Sequence, residues 1–114
     1  LKDFSTVLRD HPNVLIATDD MYEHFLWTGN PFKNILNVCP QLYDRTIVLN
    51  GVSKSYAMTG WRIGYAAGPA PLIQAMKNIQ SQSTSNPTSI AQKAAEAALN
   101  GGYESIKMMV KAFK

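Results

Sequence analysis

The fold of this chain is decided by residues 46–65, which read TIVLNGVSKSYAMTGWRIGY. The first part, Thr46–Asn50, is an apolar run that ends at a glycine, which is typical of a short buried strand. A second strand-like run, Trp61–Ala67, follows and is closed by glycine and proline. The segment between the two runs carries Lys54 and Arg62, eight residues apart. The sequence therefore predicts two strands joined by a loop that presents an amine and a guanidinium.

The rest of the chain alternates helical patterns with one further apolar run. Val14–Thr18 is short and continuously apolar, as expected of a buried parallel strand, and Asp19 and Asp20 follow it directly. Residues 28–45 are rich in glycine, proline and asparagine and predict a loop with a short helical turn. Apolar residues at helical spacing predict helices over residues 1–10, from Ala70 to a break at 83–87, over Ile90–Leu99 and over Tyr103–Phe113. This alternation favours an α/β architecture.

The composition is that of a globular protein and argues against several function classes. The chain has 114 residues, enough for one domain but few for a two-domain enzyme. Hydrophobic residues make up 46% and charged residues 17%, which excludes a disordered chain. The net charge is only +3 and the lysines are scattered, so we expect no nucleic-acid partner. No apolar run reaches the roughly 20 residues needed to span a bilayer, so we expect no membrane partner.

The cysteine, the histidines and the two ends of the chain carry further expectations. Cys39 is the only cysteine, which excludes a disulfide framework and fits a reducing compartment such as the cytoplasm. His11 and His24 share no metal-ligand spacing with Cys39 or with each other, so we expect no metal site. The chain starts at Leu1 inside one helical pattern and ends at Lys114 inside another. This predicts a segment of a longer protein.

Taken singly, the polar residues near the strand ends also have ordinary structural interpretations. A lone Lys54 is more often a solvated loop residue, and Arg62 alone is compatible with a surface salt bridge. Asp19 and Asp20 at a strand end are commonly helix caps. A nucleophilic lysine must instead be unprotonated, which requires desolvation or a nearby cation. Its position after a buried strand and eight residues before Arg62 predicts that Lys54 meets both conditions.

The block 50–65 resembles the Schiff-base lysine motif of class I aminotransferases, the fold-type-I enzymes that use pyridoxal 5'-phosphate (PLP). The resemblance implies that Lys54 binds the cofactor covalently and acts as the catalytic base. It also implies that Arg62 holds the cofactor's phosphate, for which a planar guanidinium is suited. Ser53 matches a position that often supplies a further hydroxyl to that phosphate.

Asp19 and Tyr22 extend the resemblance to a second segment. Enzymes of this family place an aspartate three residues before a tyrosine, and Asp19 and Tyr22 match that spacing whereas Asp20 does not. The implied roles are a carboxylate against the pyridine nitrogen and a donor to the ring's phenolic oxygen. In α/β folds, ligands bind at the carboxyl ends of parallel strands, where Asp19 and Lys54 are both predicted to lie.

Residues 79–87, IQSQSTSNP, are most similar to the bacterial branch of aspartate aminotransferases, some members of which also accept prephenate. Ser81 stands where another branch has an arginine for the substrate's distal carboxylate, so the handling of an acidic side chain stays open. The resemblance implies transamination between an amino acid, aspartate, and a 2-oxo acid, 2-oxoglutarate, in a homodimer. The alternatives are an aromatic or prephenate aminotransferase, a β-lyase on the same scaffold, or a non-catalytic fragment.

The resemblance also implies an architecture. Residues 1–114 would form part of the PLP-binding large domain, a mostly parallel sheet flanked by helices, with 103–114 starting the helix toward a small domain. Trp61–Ala67 would be the one antiparallel strand and pair with Thr46–Asn50. Val14–Thr18 would run parallel to Thr46–Asn50, with an earlier strand of the whole enzyme between them. We expect the resulting gap to be closed by other segments, by association or by rearrangement.

Overall fold

The computed structural model describes all residues, 1–114, as an α/β arrangement of three strands and five α-helices. Two short 3-10 helices, Pro40–Arg45 and Thr59–Trp61, interrupt the connections. The elements in chain order are α1 Lys2–Asp10, β1 Ile16–Asp19, α2 Ile35–Val38, β2 Thr46–Gly51, β3 Gly64–Ala67, α3 Ala70–Ser83, α4 Ser89–Asn100 and α5 Glu104–Ala112. None of the helices combines the length and apolarity required to cross a lipid bilayer.

The strands form one mixed sheet in the order β1-β2-β3. The antiparallel pairing of β2 with β3 is confirmed, with Asn50 opposite Tyr65. The parallel course of β1 and β2 is also confirmed, but the two are direct hydrogen-bonded neighbours, with Asp19 opposite Leu49, although an earlier strand of the whole enzyme was expected between them. That expectation was wrong, because consecutive strands of an α/β sheet usually lie side by side and the connection 20–45 is long enough for a crossover. No gap therefore needs to be closed.

Two strand boundaries differ from the predicted ones. The first strand begins at Ile16 rather than Val14, because the amide of Val14 donates to the carbonyl of His11 in a turn (3.2 Å). The third strand begins at Gly64 rather than Trp61, because Thr59–Trp61 is helical and ends in a left-handed residue. The apolar runs are visible in the sequence, but it does not show that their first residues belong to a turn or a 3-10 helix rather than to the strand.

The buried core consists of two small clusters rather than one continuous layer. One joins the β2–β3 connection to α4 and contains Val52, Ile63, Ala91 and Ala95, with Tyr56 and Met58 packed against it. The other lies under α1 and contains Ile35, Cys39 and Leu42. Only 13 residues are buried, in a slab of 42 × 41 × 18 Å, and many large apolar side chains of the helices and loops are exposed.

Polar contacts tie the second cluster to its neighbours. Arg45 donates to the carbonyls of Leu8, His11 and Val14 (3.0 Å to His11) and so closes the end of α1. Thr46, which is buried, donates through Oγ1 to the carbonyl of Leu42 (2.7 Å). The C-terminal helix α5 confirms the helix predicted over Tyr103–Phe113. Its role as the start of a connection to a second domain stays a prediction.

Three segments meet at Gly51, the last residue of β2. A Cβ atom there would lie 2.9 Å from the carbonyl oxygen of Ile63 and 3.2 Å from Sδ of Met21. The first contact is with backbone, which cannot rotate away, so only glycine fits without a shift of β3. The absence of a side chain at residue 51 brings the β1 loop, β2 and β3 together.

We predict that Gly51→Ala lowers the free energy of unfolding by about 1–3 kcal/mol, because the added methyl group overpacks a fixed backbone contact. Gly60→Ala is the matched control, since a Cβ atom at residue 60 has no neighbour within 4 Å. Urea unfolding of the two variants checks this. Equal unfolding midpoints for both would contradict the packing argument.

Candidate functional site

The loop between β2 and β3 is held to the core by one buried residue. Val52 is fully buried (0% exposed), and its carbonyl accepts hydrogen bonds from the amides of Tyr56 (3.2 Å) and Met58 (3.4 Å). Its own amide donates to the carbonyl of Ile63 (3.4 Å), so both ends of the loop are tied together. Lys54 lies two residues after this anchor, at the turn of the loop. The backbone of Lys54 is thus fixed while its side chain stays accessible.

Two residues of this connection have backbone conformations that L-residues rarely adopt. Ala57 (φ 53°) and Arg62 (φ 54°) are in the left-handed region, as is only one other non-glycine residue, Ser85. Such conformations cost roughly 1–3 kcal/mol and occur often at functional sites. The amide of Ala57 donates to the carbonyl of Lys54 (3.1 Å), so one of the two unusual residues closes the turn on Lys54 itself.

Lys54 lies beside Tyr22. Its Nζ is 5.8 Å from the centroid of the tyrosine ring, within the range of a cation–π contact. The Lys54 side chain is exposed and Tyr22 is 59% exposed, so both face open solvent. The desolvation of Lys54 expected from its place after a buried strand is therefore not provided by residues 1–114. The strand β2 is covered, but the loop carries Lys54 beyond the covered region.

Asp19 and Asp20 are adjacent in sequence but have different environments. Asp20 is buried (4% exposed), and its carboxylate accepts hydrogen bonds from Oγ1 of Thr18 and Nδ2 of Asn34, both at 2.7 Å. Asp19 is exposed, and its carboxylate accepts only the amide of Met21 (3.2 Å). Asp20 is thus a satisfied structural carboxylate, whereas Asp19 keeps acceptor capacity for a ligand.

Parallel pairing puts Asp19 and the Lys54 loop at the same edge of the sheet, as predicted. Asp19 is opposite Leu49 in the register, and Lys54 follows Leu49 by five residues. The amide of Asp20 continues the pairing by donating to the carbonyl of Leu49 (2.9 Å). The candidate carboxylate, phenol and amine therefore emerge from two adjoining strand ends.

Arg62 and Ser53 lie on the same connection but are less closely tied to Lys54. The guanidinium of Arg62 is exposed and donates through Nη1 to the carbonyl of Thr59 (3.0 Å), which leaves its other donors free. Ser53 is half-buried, and its hydroxyl has no hydrogen-bond partner within the chain. The structure thus brings Lys54 and Tyr22 into contact and leaves Arg62 and Ser53 as neighbours in sequence.

The sequence interpretation missed a polar pair at this edge. Nδ2 of Asn50, the second-to-last residue of β2, donates to Oε1 of Glu23 (2.6 Å). The signal was present, because Asn50 directly precedes the glycine that ends β2 and Glu23 directly follows Tyr22. A cavity of about 190 Å³ opens beside the pair. No group of three or more histidine, cysteine, aspartate or glutamate side chains is arranged to hold a metal ion.

The mixed α/β sheet, the lysine loop and the carboxylate–tyrosine turn together define the class of protein. The family model "Aminotransferase class I and II" matches residues 1–114 in full, and the chain belongs to that family.

The chain is similar to several individual aminotransferases. The chain is 66% identical over 114 residues to an aspartate/prephenate aminotransferase of Nitrosomonas europaea. Among solved structures it resembles the aspartate aminotransferase of Rhizobium meliloti, with a TM-score of 0.90 and 51% identity over 95% of the chain. It also resembles an aromatic aminotransferase of Pyrococcus horikoshii, with a TM-score of 0.87 and 29% identity over 96% of the chain.

These relatives are much longer proteins. The chain covers 29% of the Nitrosomonas protein, 27% of the Rhizobium chain and 29% of the Pyrococcus chain. The match to the Rhizobium enzyme also supports the direct β1–β2 pairing, because a strand inserted between them in that enzyme would displace half of the superposed chain. The direct pairing of β1 with β2 is thus consistent with the superposed part of the Rhizobium structure.

We predict that Asp20→Asn destabilises the protein by about 1–3 kcal/mol, because an amide either turns its NH₂ group toward the Asn34 donor or leaves one donor unpaired. Asp19→Asn is the matched control: its amide oxygen can still accept the Met21 amide. Thermal melting of both variants checks this. Equal melting temperatures would show that the buried carboxylate is not structural.

Proposed function

We propose that the protein to which this segment belongs is a PLP-dependent aminotransferase, which transfers an amino group between aspartate and a 2-oxo acid, 2-oxoglutarate. The observation that carries the proposal is the contact of Lys54 with Tyr22 at the sheet edge where Asp19 also emerges. The relatives' names support the substrate class. As part of the same proposal, the protein is a cytoplasmic homodimer.

The side chains present fit the chemical groups of PLP. Lys54 offers an accessible amine that takes part in no ion pair. Asp19 offers an open carboxylate oxygen for the pyridine nitrogen, and Tyr22 an exposed phenol for the ring's phenolic oxygen. Arg62 has free guanidinium donors for the phosphate, with Ser53 as a second, weaker candidate. Asp19 and Arg62 each make one hydrogen bond within the chain and keep further acceptors or donors free, as expected of residues that serve a ligand.

PLP supplies an electron sink that is attached covalently through a lysine. On this chain, Lys54 would hold that group covalently through Nζ, and the free amine of Lys54 would be the base that takes the proton from the substrate's Cα. Asp19 would keep the ring nitrogen protonated, and Tyr22 would donate to the phenolic oxygen. Arg62 would hold the phosphate through its free guanidinium donors and so orient the cofactor.

Two other activities use the same residues. An aminotransferase for prephenate or aromatic acids is favoured by the names of the Nitrosomonas and Pyrococcus relatives, and a β-lyase would need the same lysine. The candidate residues bind the cofactor rather than the substrate's side chain, so they are common to all three. A panel of aspartate, prephenate, aromatic and β-substituted amino-acid substrates on the full-length protein separates them.

A non-catalytic descendant is the alternative of a different class. It is excluded by a visible absorption band that forms when PLP is added to the full-length protein and disappears on borohydride reduction, with the reduced mass tag on Lys54. A protein that forms no such band would instead be a non-catalytic descendant.

We predict that Lys54→Ala in the full-length protein lowers the transamination rate by at least about 10²–10⁴-fold, because the proton-transferring amine is lost. The variant also loses the borohydride-trapped tag. Lys77→Ala, a change of another exposed lysine, is the control and keeps both. Full transamination at a near-normal rate by Lys54→Ala would refute the assignment.

We also predict that the isolated 114 residues bind PLP weakly and show negligible transamination. Lys54, Tyr22 and Arg62 lie on an open surface of this chain, so residues 1–114 neither enclose a cofactor nor exclude water. An absorbance titration with PLP and a coupled transamination assay check this. Tight PLP binding by a monomer of these residues, or turnover comparable to that of a whole enzyme, would contradict the prediction.

A further inference from the structure

We propose that Glu23 is a positioning residue, which acts through Asn50 to fix the Lys54 loop relative to the Asp19–Tyr22 turn. The inference rests on the proposed function, since it concerns how the proposed cofactor residues are held.

The contact joins the two loops through one side chain. Nδ2 of Asn50 donates to Oε1 of Glu23 at 2.6 Å, a short charge-assisted hydrogen bond between residues 27 positions apart. Oδ1 of the same Asn50 accepts the amide of Gly51 at 2.7 Å. The amide group of Asn50 therefore links Glu23 to the backbone at the start of the Lys54 loop.

Glu23 is itself fixed to the β1 side of the site. Its amide donates to the carbonyl of Asp20 at 3.0 Å, and it directly follows Tyr22 in the chain. Asp20 in turn is anchored by two side-chain donors and by the hydrogen bond that its amide donates to the carbonyl of Leu49. A displacement of Glu23 would therefore move Tyr22 relative to Lys54.

The surroundings of Glu23 set it apart from the other glutamates. Glu96 and Glu104 pair with lysines three residues away on exposed helix faces. The main partner of Glu23, by contrast, is Asn50 of β2, which is distant in the sequence. Its remaining carboxylate contact is a 3.7 Å approach to Nε2 of His24. The pattern is that of a link between segments rather than a solvated surface charge.

The tyrosines that line the cavity beside Glu23 are partly desolvated. Burial raises the pKa of Tyr65 above its ordinary value, and the charge of Glu23 adds to the increase. Burial also raises the pKa of Tyr56, with smaller contributions from Tyr103 and Glu23. The buried hydroxyl of Ser55, which follows Lys54, lines the same cavity and has no hydrogen-bond partner. The Lys54 loop thus has few other side-chain hydrogen bonds on this side, so the link between Glu23 and Asn50 adds to the backbone anchor at Val52.

Loss of the link is expected to change the chemistry at Lys54 more than the binding of substrate. A misplacement of about 1 Å in a reacting group can cost on the order of 10²-fold in rate. We therefore expect Glu23→Ala in the full-length protein to lower kcat about 10- to 100-fold, with little change in KM. We also expect a shift in the pH midpoint of the absorption band of the cofactor bound at Lys54.

The closing experiment uses four variants of the full-length protein. Glu23→Ala removes the acceptor, and Asn50→Asp sets two carboxylates against each other; both should show the kcat loss and the shifted absorption midpoint. The double variant Glu23→Gln/Asn50→Asp exchanges donor and acceptor, so it should recover kcat to within a few fold of wild type. Glu96→Gln is the control and should leave every measurement unchanged.

A readout that does not depend on activity is hydrogen exchange in the protein freed of PLP. Faster exchange across residues 51–57 in Glu23→Ala and Asn50→Asp, restored in the double variant, supports the link. If Glu23→Ala does not fold, the comparison of Asn50→Asp with the double variant still tests the role of the hydrogen bond.

The experiment distinguishes a failure of the proposed function from a failure of the positioning role. A wild-type protein that does not attach PLP at Lys54 overturns the proposed function and the positioning role with it. A wild-type protein that attaches PLP normally, while Asn50→Asp matches Glu96→Gln in kcat, absorption midpoint and exchange, overturns only the positioning role. A double variant that is as impaired as Asn50→Asp does the same, because it shows that the hydrogen bond is not what matters.

Discussion

The close approach of three backbone segments at Gly51 is the constraint on which the rest of the structure depends. Because residue 51 has no side chain, the carbonyl of Ile63 and the side chain of Met21 can both lie against it. The end of β2, the entry to β3 and the turn after β1 therefore converge within a few ångströms. Everything that makes the region a candidate site, the lysine loop and the carboxylate–tyrosine turn, extends from this point.

The site combines a fixed backbone with open side chains. Val52 buries the start of the loop and accepts two of its amides, and left-handed conformations at Ala57 and Arg62 fold the connection back toward β3. Lys54 and Tyr22 nevertheless face solvent. With so few buried residues, the segment positions reactive groups but does not enclose them. In the relatives, more than two thirds of the protein lies outside the matched region and can supply the enclosing walls.

Three carboxylates that are close in sequence have different environments, which separate a ligand-binding candidate from structural residues. Asp19, Asp20 and Glu23 lie within five positions, yet one is open, one is buried and satisfied, and one bridges to another strand. A carboxylate whose hydrogen bonds are already made is part of the scaffold. One with free acceptor capacity at a strand end is available to a ligand. The same division distinguishes Asn50, which holds the loop, from Lys54, which the loop presents.

The sequence by itself determined the α/β class, because strand and helix periodicity are local properties. The family and the candidates Asp19, Tyr22 and Lys54 came from the resemblance of short motifs to class I aminotransferases, which is also readable from the sequence alone. It did not determine that β1 and β2 are direct neighbours, since strand order depends on contacts between residues far apart in the chain. Nor did it reveal that Lys54 is exposed, or that Glu23 and Asn50 join two loops, because burial and pairing arise only when separate segments pack together. The register of the strands and the close contacts at Gly51 depend on tertiary packing. Backbone sterics there select one arrangement from the many that the same local sequence pattern allows.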